Sequence, residues 1–144
     1  MDGVKLPQPE GWDDKSMIAY NARERPESGI IPNIVITQAA FGDAAGDTPV
    51  ERIKAFANKQ IAEMKDKLPE AAVQSQTLLQ VAGRPAAEVN VTWQHGASRL
   101  AQLVTFVARN PSQVLICTGT AAENEFDQHR DAFRRAVQTV QIAS

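Results

Sequence analysis

The chain has 144 residues, 43% of them hydrophobic and 22% charged, which suits a single globular domain spanning 1–144 and excludes fibrous, disordered and membrane-embedded classes. Its 15 basic and 17 acidic residues are scattered, with no run of like charge, so the basic stripe of a nucleic-acid binder is missing and none is expected as a partner. No apolar run approaches the ~20 residues of a membrane helix, so direct membrane insertion is not expected.

The opening residues, Asp2-Gly3-Val4-Lys5-Leu6-Pro7, carry neither a basic nor an apolar leader pattern, which leads us to expect a cytoplasmic protein. Residues 4–6 read as a short strand, and the following Pro-Glu-Gly-Trp stretch, 9–12, cannot be helical. A second strand is expected over 16–21. After a polar loop, 30–39 supply a β-branched strand, with Pro32 placing its beginning at an edge or a bulge.

Thr48-Pro49-Val50-Glu51 combines a cap, a proline at the first helical position and an acidic residue three places on, the signature of a capping box. A helix is therefore predicted from Pro49 to about Leu68. Val50, Ile53, Ala57, Ile61, Met64 and Leu68 share one face, and Pro69 stops it.

Beyond Ala71 the period shortens to two. Ala87, Val89, Val91 and Trp93 alternate with Glu88, Asn90, Thr92 and Gln94, so that one strand face is apolar. Turn-forming tetrapeptides at 82–85 and 94–97 separate this strand from neighbours at 76–81 and 98–109, and Asn110-Pro111-Ser112 leads into a last strand at 113–119. A closing helix from about Asn124 carries Phe126, Phe133, Ala136, Val137 and Val140 on one stripe, with His129 on the same side. The fold class is α+β: an antiparallel sheet of about six to seven strands, four hairpin-linked ones at its centre, packed with two helices.

Chemistry has no visible home in this pattern. His95, His129 and the single Cys117 fall in three different elements without metal spacing, and neither a nucleophile elbow nor a phosphate-cradling glycine loop occurs. Asp13-Asp14 belongs to a turn, and Glu123, Glu125 and Asp127 suit a helix N-terminus, where negative charge is favoured. Cys117, inside an apolar run, reads as a buried thiol. The expectation is a binding module, not an enzyme, with no cofactor and no metal.

Leu6-Pro7, then residues 9–16 (Pro-Glu-Gly-Trp-Asp-Asp-Lys-Ser), Pro32-Asn33-Ile34-Val35-Ile36-Thr37, Ala82-Gly83-Arg84-Pro85-Ala86 and the stretch from Phe126 to Phe133 together resemble the DcrB-like family over nearly the whole length. The resemblance implies a PsbP-like sandwich fold. Members of this length without a leader look like the effector-associated (Eag) chaperones of type VI secretion, which implies a cytoplasmic homodimer that shields the hydrophobic transmembrane helices of a secreted toxin. The family also includes periplasmic lipoproteins, so an envelope binding domain with its signal removed is the alternative.

For such a groove the residues of choice are Asn33, Val35 and Thr37, which alternate onto one strand face, together with Ile18 and Tyr20 on the preceding strand and Gln102, a polar residue within an apolar run.

Overall fold

The computed structural model describes residues 2–42 and 46–143. Strands β1 (Ile18–Asn21) and β2 (Asn33–Ala40) are followed by helix α1 (Pro49–Lys67), strands β3 (Ala72–Val81), β4 (Arg84–His95), β5 (Ser98–Ala108) and β6 (Gln113–Ala122), a 3-10 turn at Glu123–Glu125, and helix α2 (Phe126–Gln138). All six strands form one antiparallel sheet in the order β1-β2-β6-β5-β4-β3. The expected α+β class and the antiparallel sheet with two helices are both present.

Helix α1 starts where its sequence says it should. The Thr48 hydroxyl accepts from the Glu51 amide at 3.1 Å, and the Glu51 carboxylate accepts from the amides of Thr48 and Asp47 at 3.3 and 2.9 Å. Three otherwise unpaired amides are satisfied by this exchange, which fixes where the helix begins. Ile53, Phe56, Ala57 and Ile61 are its buried residues, so Phe56 joins the predicted stripe while Val50 is left largely exposed.

The tight β3–β4 turn is made by Ala82 and Gly83, both at positive φ, closed by the Val81–Arg84 pair. That arrangement matches the right-handed twist of the flanking strands. It also places Arg84 and Pro85 inside β4 rather than in the connection.

The two helices lie on opposite sides of the sheet. Ala87, Val89, Val91, Val104, Phe106 and Val114 meet α1, where the rings of Phe41, Phe56 and Phe106 form an edge-on chain with centroids 5.9 and 5.5 Å apart. On the other side Phe126, Phe133 and Val137 of α2 meet Ala101, Leu103, Val107, Cys117 and Ala121. Gly119 makes the α2 contact possible: a Cβ there would lie 2.4 Å from the Phe133 ring. Val140 and Ile142, beyond the helix, extend the same layer over Val81 and Ala86.

Several sequence expectations change. Residues 4–6 form no strand; they are exposed and no neighbouring strand pairs with them. Pro32 is buried just before β2, its carbonyl accepting from the Ala22 amide at 2.9 Å, so it ends the loop instead of making a bulge. The hairpin-linked strands β3 to β6 do not sit at the sheet's centre, because β3 is itself an edge.

Candidate functional site

Antiparallel register decides which residues share a face. Val35 lies opposite Thr118, Thr37 opposite Ile116, and Asn33 opposite Thr120, which in turn lies opposite Gln102. Gln102 is paired with Val91, an α1-facing residue, so this whole set faces the α1 side. Helix α1 itself packs on β4, β5 and β3. Among the described residues, most of that face over β1, β2 and β6 is thus left without a helix, the start of β6 at Val114 and Ile116 packing into the α1 core. Its side chains are β-branched or amide: Val35, Thr37 and Thr118 are half-buried, as are Asn33 and Gln102.

A short polar ladder crosses the same surface. The Trp93 indole Nε1 donates to Gln102 Oε1 at 3.0 Å, and Gln102 Nε2 donates to Thr120 Oγ1 at 3.0 Å. Both ends of the Gln102 amide are therefore engaged within the sheet, which fixes its orientation.

Ile18 and Tyr20 are a correction to the expected groove. They stand opposite Ile36 and Ile34, on the α2 side of the sheet, so the six selected residues do not form one surface. Asn33, Val35, Thr37 and Gln102 come together; Ile18 and Tyr20 do not join them. Nor are these two core residues, being 50% and 66% exposed. Thr118, Thr120 and Trp93 complete the face and were missed, since the sequence gives no signal for which β6 residues meet β2.

The acidic groups have structural partners. Glu125, buried, accepts from the Ser28 hydroxyl at 2.5 Å and amide at 3.2 Å, tying the 22–32 loop to the start of α2. Glu88, only 8% exposed, is held by Arg134 at 2.8 and 3.2 Å. That pairing also raises the Arg134 pKa. Asp14 accepts from the Ser16 amide at 2.8 Å, and its pKa is lowered chiefly by hydrogen bonding to Ser16.

His129 is half-buried with its ring centroid 6.2 Å from that of Phe133, and His95 is exposed beside the Gly96 turn. Burial pushes the Cys117 thiol up to about 11. A recess of about 410 Å³ between α2 and β4 is lined by Asn90, Thr92, Arg99 and Arg130, but its two arginines are matched by Glu123 at 2.7 Å and Asp127 at 2.9 Å. Among the described residues no group of three or more His, Cys, Asp or Glu side chains could hold a metal, and no helix is long and apolar enough to cross a membrane.

Comparison with known proteins adds to this geometry. The model of the family described as DcrB matches residues 4–139. Among solved structures, the chain is similar to PA94 of Pseudomonas aeruginosa, a protein of unknown function, with a TM-score of 0.79 at 23% identity, covering 100% of this chain and 94% of that one. LpqN of Mycobacterium tuberculosis, described as involved in cell envelope biogenesis, follows at 0.63 and 15% identity, covering 89% and 84%. The cyanobacterial PsbP (CyanoP) from Synechocystis matches at 0.52 and 9% identity over 96% and 99%, which supports the PsbP-like character of the fold. No curated protein matches.

Proposed function

The chain belongs to the DcrB family, and from that premise we propose that it is a binding domain whose helix-free sheet face receives hydrophobic helices of a partner protein, in the manner of a type VI secretion adaptor chaperone. The observation that carries the reading is the Asn33, Val35, Thr37, Thr118 and Gln102 surface, β-branched and amide side chains together, over the part of the sheet on which α1 does not chiefly pack. Helices that normally pack in a membrane associate through small and β-branched contacts and through Ser, Thr, Asn and Gln hydrogen bonds. A surface of the same composition offers them those contacts in water, in the mode of a helix laid in a groove.

In this reading the protein works by binding, not by catalysis; it acts in the cytoplasm as a homodimer, holding the transmembrane helices of a secreted toxin until the toxin is loaded on the secretion spike. Co-expression with spike-associated toxins of the same genome, followed by pull-down and mass determination, tests it. A stable complex is expected, lost when the toxin's transmembrane segment is deleted and lost with Val35→Glu, which puts an unmated charge into the contact. Failure with every such toxin refutes the chaperone role.

The description of LpqN favours a second reading, a binding domain of the cell envelope. A native reading frame with an apolar leader and a lipobox cysteine ahead of the present start would support it over the first.

A further inference from the structure

At the opposite end of the sheet from the Gly96 turn, the start of α1, the turn at Gly83 and the β5–β6 connection border a half-open cavity of about 370 Å³. That volume falls within the ~300–1,000 Å³ of small-molecule sites. Its walls are largely apolar, built from Phe41, Pro49, Pro85, Ala108 and Pro111. Three half-buried arginines, Arg52, Arg84 and Arg109, stand around it.

The charge state of this cavity differs from that of the recess beside α2. There each arginine has a carboxylate; here the three guanidinium groups donate to neutral oxygens, Arg52 to the Pro111 carbonyl at 2.5 Å, Arg84 to the Arg109 carbonyl and Arg109 to Gln38 Oε1 at 2.5 Å. Among the described residues none of them has an ion-pair partner. Among the described residues Asp47 is the one acidic residue on the lining, and the nearby Glu51 is committed to the helix-start amides. Arg109 also acts on Asp14 from a distance, which leaves Arg52 and Arg84 as the cations least offset. An oxyanion offered to two of these arginines gains charge-assisted hydrogen bonds without having to displace a carboxylate. Arg52 is further oriented by stacking 4.3 Å above the Phe41 ring.

We propose that this cavity binds a small amphiphilic anion, with a carboxylate or phosphate head between Arg52 and Arg84 and a short apolar tail against Phe41, Pro85 and Ala108. The Gly83-Arg84-Pro85 sequence, singled out as part of a family resemblance, then has a role beyond its turn: it presents the cation and one apolar wall together. This site is separate from the helix-binding face and stands or falls without it.

The test is a backbone-amide NMR titration of the full chain with hexyl phosphate and with hexanoate, using hexan-1-ol and inorganic phosphate as controls. Saturable shifts are expected at Gly83, Arg84, Ala108 and Asn110 with both hexyl anions, with the two controls about tenfold weaker or more. Arg52→Gln should weaken hexyl phosphate by about tenfold with the remaining amide spectrum unchanged, because Arg52 lies on the helix surface and its glutamine can still reach toward the Pro111 carbonyl. Binding to the unsubstituted protein should also weaken as salt is raised, a readout independent of any variant. Absence of saturable shifts, shifts elsewhere in the chain, hexan-1-ol binding as well as hexyl phosphate, or indifference to both salt and Arg52→Gln would each overturn the proposal.

Discussion

The sheet has two unequal halves. In β4 and β5 most residues are buried and each face is roofed, by α1 on one side and by α2 with the residues after it on the other. In β1 and β2 no residue is fully buried, and Met17, Ile18 and Tyr20 stay exposed. The difference teaches where each property of the molecule resides. Apolar area removed from water in β4 and β5 stabilises the fold, whereas apolar area left half-covered on β2 and β6 is what the proposed partner would cover.

Substitutions can break or sharpen that contrast. Phe106→Ala removes the sheet end of the three-ring chain, a fully buried side chain, and should cost about 4 kcal/mol in urea unfolding; a loss under about 1 kcal/mol would mean that the roofed half is not where stability lies. Gly119→Val drives a side chain into the Phe133 ring and should cost about 3 kcal/mol by lifting α2, with the α1 side unaffected in hydrogen exchange.

Cys117 gives a pH handle on the roofed half. Its thiol is held up from 9.0 to about 11, so the folded state keeps its proton while the unfolded state loses it. The associated stability is fully present below pH 9 and is lost as pH rises toward about 11, on the order of 3 kcal/mol in all. Urea midpoints across that range should fall for the natural protein and fall less for Cys117→Ala.

The smallest effect is expected in the open half. Tyr20→Ser should change stability by about 0.5 kcal/mol or less, because the ring is two-thirds exposed. A thermal melt showing several kcal/mol of loss would put Tyr20 in a packed environment and erase the contrast.

What the sequence disclosed follows a physical division. The α1 start was legible in Thr48 and Glu51 because a capping box is made by residues three apart, and the β4 face was legible because alternation from Ala87 to Trp93 is local too. The first part of β3 was not: of Ala72 to Ser75 only Val73 is strand-prone, and they form a strand through pairing with β4, including an irregular register near Gln74. Residues 4–6 show the converse, β-prone side chains with no strand to pair with.

The groove was half legible for the same reason. Parity along β2 puts Asn33, Val35 and Thr37 together without any structure. Whether Ile18 and Tyr20 share their side depends on the register set across the 22–32 connection, which periodicity within one strand cannot reach. The Glu88–Arg134 pair and the Arg52, Arg84 and Arg109 grouping likewise join residues distant in the chain.

The pairing of β2 with β6 has a bearing on how the molecule is made. Asn33 meets Thr120, on the order of ninety residues later, while β3 to β6 close by successive hairpins. During synthesis the first two strands leave the ribosome early and must wait for β6 before they can be zipped in, so the surface proposed to shelter another protein's helices is itself unsheltered longest. Refolding should therefore show β3 to β6 protected first, and a nascent chain stalled before β6 should depend on the cell's own chaperones.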